Sequence, residues 1–256
     1  MPAQKKKMAL KQRLDRLLVD KGLAPSRERA QALIMAGKVL VDTKPRDKPG
    51  SRFEVDARIT LKAKPMPFVS RGGLKLEGAL KAMLLAVEGF VCLDVGASTG
   101  GFTDCLLQHG AAKVYALDVG YGQLAWKLRQ DPRVVVIERT NIRALARGAF
   151  PELMDLVTID TSFISLKIVI PAVLEHLKPA GRILALIKPQ FEAGKGKVGK
   201  GGVVRDPEQR RAIIGHLIAH FTQIGLRCGP VVPSPVLGPK GNQEFFVLLT
   251  TADCLL

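Results

Sequence analysis

The chain has 256 residues, 47% of them hydrophobic, and carries 39 Lys and Arg against 23 Asp and Glu, a net charge of +16. That length supports one large domain plus a small appendage with a core of its own, which excludes a disulfide-stapled miniprotein. No apolar run reaches the roughly 20 residues that cross a bilayer, the lysine-bearing N-terminus lacks the apolar stretch of a secretory signal, and Cys92, Cys105, Cys228 and Cys254 form no C-x-x-C pair, so a cytoplasmic protein with reduced thiols, no metal site and no membrane partner is expected.

The charge is unevenly spread. Residues 1–70 hold 17 Lys and Arg against 7 Asp and Glu, whereas residues 71–256 hold 22 against 16. A basic segment of that density suits a nucleic-acid backbone, where binding is driven by counterion release. Within it, residues 13–22 place Leu14, Leu17 and Leu18 on one helical face and stop at Gly22. Ser26 caps a second helix that ends at Gly37, with Glu28 in its first turn. Residues 38–42 and 59–61 read as short strands around a turn rich in Lys, Pro and Gly. Arg13, Arg16, Lys21, Arg27, Arg29 and Lys38 are the candidate RNA-binding side chains, expected to share a surface. Residues 13–61, with R-L-D-x-x-L-V-x-x-G-L-x-x-S-R and L-I-x-x-G-x-V-x-V-D, resemble the RNA-binding module named after small-subunit ribosomal protein S-four. Residues 1–62 are therefore expected to form that domain, with a two-proline linker over 63–70 and a larger domain over 71–256.

The larger region is organised around residues 91–101, V-C-L-D-V-G-A-S-T-G-G. A short apolar run that ends in small residues reads as a buried parallel strand turning into a helix, here over 102–109, whose first N–H groups face the turn. The pattern D-x-G-x-x-x-G-G is not the dinucleotide fingerprint G-x-G-x-x-G. The next strand, 113–119, brings Asp118 to where a Rossmann-like site needs a carboxylate for ribose hydroxyls. A nucleoside cofactor without a pyrophosphate bridge follows, and S-adenosylmethionine (AdoMet) fits best. Asp94, Gly96, Ala97, Ser98, Gly100, Gly101, Phe102, Asp118 and Asp160 are its candidate contacts. Asn141 is a further one, either on an adenine edge or as a turn former.

A helix over 120–129, a strand over 134–137, a strand over 155–160 and a helix over 166–177, stopped by K-P-A-G, come next. A fifth strand, 182–187, delivers Lys188 in K-P-Q-F-E; a basic Gly-rich loop, 192–205, leads to a helix over 207–225 and to strands at 227–233 and 244–250. This alternation predicts an α/β fold, a Rossmann-like, mainly parallel sheet with ligands outside the C-terminal strand ends, beside the small α+β RNA-binding domain. Asp94, Asp118, Asp160 and Lys188 stand at such tips, and Lys75, Asp160, Lys188 and Glu244 read as a Lys-Asp-Lys-Glu set able to orient a weakly nucleophilic hydroxyl for in-line methyl transfer.

The motifs R-G-G-L-K-L, D-V-G-A-S-T-G-G-F-T-D, D-x-S-F-I-S-L, I-K-P-Q-F-E and K-G-N-x-E-F, spread over residues 11–249, are similar to those of the TlyA or hemolysin A family, which joins an S-four-type domain to an FtsJ-like methyltransferase. The resemblance implies AdoMet-dependent 2′-O-methylation of ribosomal RNA, free or in subunits, with Lys75, Asp160, Lys188 and Glu244 as catalytic tetrad. Amino-nitrogen methylation fits less well, because D-T-S-F stands where an Asn/Asp-Pro-Pro-aromatic loop is needed, and pyrimidine carbon-5 chemistry lacks its cysteine after the fourth or fifth strand. Two other classes are weighed: an assembly factor that binds RNA and AdoMet without turnover, and a cytolytic hemolysin, for which no amphipathic spanning segment stands out.

Overall fold

The computed structural model describes residues 10–62, 66–194, 199 and 201–251, and the chain divides into two compact units, residues 1–67 and 68–256. Cys254, parts of the expected linker and parts of the Gly-rich loop lie outside the described residues.

The first unit contains β1 (Lys11–Arg13), α1 (Leu14–Asp20), α2 (Arg27–Met35), β2 (Val39–Val41), β3 (Lys44–Arg46), β4 (Arg52–Glu54) and β5 (Ile59–Leu61). Leu14, Leu17 and Leu18 are buried with Ala30 and Ile34 of α2 and with Val39 and Val41 of β2, so the two helices cover one side of the small sheet β3-β2-β5. Ser26 caps α2 by accepting the Arg29 N–H at 3.2 Å. The strands β1, β3 and β4, each three residues, are additions to the sequence reading; β1 pairs with β4.

The second unit comprises α3 (Arg71–Ala82), β6 (Val91–Val95), α4 (Gly101–Gln108), β7 (Lys113–Leu117), α5 (Trp126–Arg129), β8 (Val134–Ile137), β9 (Met154–Ile159), α6 (Leu166–Leu174), β10 (Leu177–Ile187), α7 (Pro189–Glu192), α8 (Pro207–Gln223), β11 (Arg227–Pro233) and β12 (Phe245–Thr250). The strands form one seven-stranded sheet, β11-β12-β10-β9-β6-β7-β8, parallel except for β12, which runs against both its neighbours. Alternate residues feed opposite cores, as a two-sided sheet requires. Cys92, Val114, Leu184 and Phe246 face the α3 and α4 side, while Leu93, Tyr115, Ile183 and Val247 face α6 and α8. Strand order reverses between β6 and β9, the switch point at which such sheets open a crevice beyond their C-terminal ends.

Three expectations change. The second unit begins at Phe68 rather than Arg71: Phe68 is buried and the Val69 N–H is held by Asp104 Oδ2 at 2.8 Å. Of the helix expected over 120–129, only Trp126–Arg129 forms, since Gly122 takes a φ of +71°, outside the helical region; Leu124 and Leu128 still dock into the core, while Tyr121 and Trp126 are exposed. The K-P-A-G segment does not end a helix and clear the way for a strand; α6 stops at Leu174, and β10 already pairs at Leu177 with Met154 before its register shifts at Arg182.

Candidate active site

The crevice is built from loops at the tips of β6, β7, β9 and β10. Gly96 N–H and Ala97 N–H both donate to Leu117 O, at 2.9 and 3.1 Å, and Asp160 N–H donates to Val95 O at 2.9 Å, so the three central strand ends lie side by side. Gly96 takes a φ of +86°, and a Cβ there would lie 2.8 Å from Asp160 O, so the first loop approaches the third as closely as backbones allow.

Two adjoining cavities occupy this edge. One, about 300 Å³, is lined by Lys75, Gly96, Ala97, Ser98, Gly101, Phe102, Asp160 and Lys188, together with Ser70, Arg71 and Ser162. The second, about 520 Å³, is lined by Gly96, Ser98, Asp118, Asn141 and Asp160, with Thr161 and Phe163. A third space of about 350 Å³ opens beside Lys188, Phe191, Gln190 and Glu244.

The sequence set Lys75, Asp160, Lys188 and Glu244 resolves into two ion pairs. Lys188 Nζ lies 2.6 Å from Asp160 Oδ1 and donates to Ser162 Oγ at 3.0 Å. Lys75 Nζ, on the buried face of α3, donates to Glu244 Oε2 at 2.6 Å. Both lysines are 8% exposed and Glu244 is fully buried, so the ammonium groups are held by carboxylates away from bulk water and border one cavity. Glu244 is kept in place from behind: a Cβ on Gly238 would fall 2.1 Å from Oε1, so no larger residue fits in that turn.

Other candidates sort by position. Asp118 accepts the Ser98 N–H and the Gly120 N–H at 2.7 Å, one on each oxygen, and keeps lone pairs free for hydroxyl donors. Asn141 lines the second cavity while its Oδ1 accepts the Arg143 N–H at 3.1 Å, capping the short turn Ile142–Ala144. Two expected contacts, Asp94 and Gly100, line neither cavity. Asp94 is fully buried; its Oδ2 takes the Thr103 N–H and hydroxyl at 2.9 and 2.7 Å and its Oδ1 takes the Thr158 hydroxyl at 3.2 Å. It therefore ties the loop to α4 and β9 from below. Burial pushes its carboxyl up to about 7, against the Thr103 hydrogen bonds and with the help of Asp160.

Sequence reasoning passed over Ser162 and Phe163, although both stand in the quoted D-T-S-F. Phe163 is 89% exposed, takes a φ of +64° and leans on Phe191 with ring centroids 4.8 Å apart. A bulky residue in that backbone region is held by its surroundings, and strain of this kind gathers at functional sites.

In the first unit, Arg13 and Arg27 converge on the fully buried Asp15, at 2.9 and 3.1 Å, and both guanidinium groups stay partly exposed. Arg16, Lys21, Arg29 and Lys38 are exposed.

Residues 68–251 match the model of the FtsJ-like methyltransferase family, and residues 12–59 match the S4 domain. The chain belongs to the FtsJ-like methyltransferase family. It is 49% identical to the 16S/23S rRNA (cytidine-2′-O)-methyltransferase TlyA of Mycobacterium tuberculosis over 245 residues, 95% of this chain and 91% of the relative. It is 42% identical to Hemolysin A of Brachyspira hyodysenteriae, over 91% of this chain and 97% of that one. A solved structure of a hemolysin-named protein from Streptococcus thermophilus is 41% identical, with a TM-score of 0.74, over 97% of this chain and 90% of that chain. This methyltransferase thus sits in the TlyA and hemolysin A group to which its motifs pointed, and its cofactor is AdoMet.

The residues present fit that cofactor. The 520 Å³ cavity is within the size range of cofactor sites, carries two carboxylates, and has no Lys or Arg among the described residues that line it, which suits a cationic sulfonium nucleoside better than a phosphate. Thr161 Oγ1 in its wall is buried without a hydrogen-bond partner among the described residues.

Proposed function

We propose that this methyltransferase modifies a ribose 2′-hydroxyl of ribosomal RNA, that the S4 unit supplies phosphate contacts, and that Lys75, Asp160, Lys188 and Glu244 form its catalytic set. The observation that carries the reading is the pair of lysine–carboxylate contacts flanking one cavity beside the Gly-rich loop. When bound, AdoMet supplies an electrophilic methyl carbon. The larger cavity, with Asp118 on its wall, takes the nucleoside end, and the smaller one leads to Lys188.

Lys188 orients the lone pair of the attacking hydroxyl, and Asp160 with Ser162 fixes the direction of its Nζ. Lys75, anchored by Glu244, meets the acceptor from the other side. Held along the Gly-rich loop and Asp118, AdoMet would supply the methyl carbon and its sulfur would keep the electron pair of the carbon–sulfur bond, while the hydroxyl proton would pass by way of Lys188 Nζ to the Asp160 carboxylate. Holding three atoms in line is where most of the acceleration arises. Phe163, exposed against Phe191, offers a flat apolar face to the acceptor base, since stacking on aromatic rings is the usual hold on an unpaired nucleotide.

Ribosomal subunits incubated with methyl-labelled AdoMet test the reading. Lys188→Ala is expected to lower transfer by about 10²- to 10⁴-fold while AdoMet and RNA still bind. The labelled site should resist alkaline cleavage, which needs a free 2′-hydroxyl. Label that does not block cleavage would mean a base is modified, and no transfer to any RNA form would favour an assembly factor. The name Hemolysin A on one relative motivates a parallel liposome-leakage assay; no described helix is long and apolar enough to cross a membrane.

A further inference from the structure

Two loops carry the acceptor side of the site: residues 160–165, D-T-S-F-I-S, and residues 188–192, K-P-Q-F-E. They meet at three successive places. Lys188 reaches Asp160 and Ser162, Phe191 lies against Phe163, and Glu192 holds the far end, where its Oε2 accepts the Ser165 hydroxyl at 2.6 Å and its Oε1 accepts the Leu166 N–H at 2.9 Å.

The proposed chemistry uses the first two contacts and gives Glu192 nothing to do. Yet its placement is not that of an ordinary surface carboxylate. Burial pushes its carboxyl above the usual range against the Ser165 and Leu166 hydrogen bonds, while Lys167 favours the charged form. A carboxylate kept in such a place is costly unless its bonds accomplish something. What they span is informative. The acceptor loop is pinned to the sheet at its start by Asp160 N–H on Val95 O, it carries the strained Phe163 in its middle, and Glu192 pins its end at the first turn of α6.

We propose that Glu192 is a positioning residue for methyl transfer: it locks the end of the acceptor loop onto the segment that bears Lys188, and so fixes Ser162 and Phe163 relative to Lys188 Nζ. This rests on the reading of Lys188 as the lysine that orients the acceptor. Either carboxylate oxygen acts as an acceptor here, so the side-chain amide of Gln serves equally: its carbonyl accepts from Leu166 and its NH₂ donates to Ser165 Oγ.

The full-length parent, Glu192→Ala, Glu192→Gln, Ser165→Ala and Lys188→Ala are compared for methyl transfer to ribosomal subunits, AdoMet affinity by calorimetry, and thermal unfolding. Glu192→Ala is expected to lower kcat roughly 10- to 100-fold, the cost of about an ångström of misplacement. KM for subunits and Kd for AdoMet should stay within about threefold, Glu192→Gln should recover most of the lost kcat, and Ser165→Ala should fall between; a merely structural role would not give that split together with rescue by the isostere. If Glu192→Ala does not fold, Ser165→Ala decides. Parental kcat in the deciding variant, or failure of Glu192→Gln to recover activity, overturns the inference while Lys188→Ala remains inactive. Parental transfer by Lys188→Ala instead overturns the reading of Lys188, and this inference with it.

Discussion

Each unit of this methyltransferase is built over an aspartate that no solvent reaches, and the two titrate in opposite directions. Asp15 in the S4 unit is bonded by Arg13, Arg27, Gln31 and the Arg16 N–H, and the Arg13 guanidinium above all holds its carboxyl well below the usual range. Asp94 in the catalytic unit is bonded, among the described residues, by an amide and two hydroxyls, and burial prevails, pushing it up to about 7. Loss of solvent contact alone therefore does not settle the charge: Asp94 lies deep in the core, where desolvation prevails, whereas Asp15 lies directly beneath arginines whose bonds outweigh it. Where cations are the partners, the carboxylate stays ionised and fixes two half-exposed guanidinium groups in place. Where they are neutral donors, the aspartate is an internal brace, and it costs most when charged.

The comparison is broken most severely at Asp15. Asp15→Ala leaves Arg13 and Arg27 without their anchor and is expected to destabilise the first unit by about 3 kcal/mol, with RNA affinity and its salt slope falling together and AdoMet affinity unchanged. Filter binding across a salt series, with calorimetry for AdoMet, reads all three. An unchanged salt slope would show that these arginines are not phosphate contacts.

A smaller effect follows from pH. Because the folded-state value of Asp15 is depressed, its stabilisation is fully present above the ordinary carboxylate range and is lost as pH falls through the folded value. Between pH 4 and 2 the first unit of the parent should lose about 2 kcal/mol that Asp15→Asn does not lose. Unfolding of the two proteins in acid, followed by far-ultraviolet circular dichroism, makes the comparison.

What the chain reveals of this before its structure is known depends on how local the signal is. The strand Val91–Val95 is legible to the residue, because a run buried on both faces must be apolar and must end where polar groups meet water. Asp160 and Lys188 are legible as strand tips for the same reason, and their meeting follows from the parallel order of β9 and β10. Glu244 enters through the reversed strand, which brings it within reach of Lys75, 169 positions away. Contacts that depend on a loop's end rather than a strand's were not legible. Glu192 grips Ser165 and Leu166 across 27 and 26 positions, and nothing in the periodicity of either segment says so. The surroundings of Asp94 were hidden for a related reason: strand register turns its side chain toward α4, where Thr103 takes it, although the residue does stand at a tip.

That last point yields the gentlest test. For a carboxyl raised in the fold, stabilisation is present below the unfolded value and lost as pH rises through about 7. Asp94→Asn keeps an acceptor for Thr103 and a group for Thr158 without the buried charge, so its midpoint should match the parent's at pH 5 and exceed it at pH 9 by about 2–4 °C, equivalent to about 1 kcal/mol in a unit of this size. AdoMet affinity should move by less than about threefold, because Asp94 touches neither cavity. A tenfold loss of AdoMet affinity in this variant, with its folding intact, would restore Asp94 to the cofactor and would mean that the two buried aspartates differ in ligand as well as in partner.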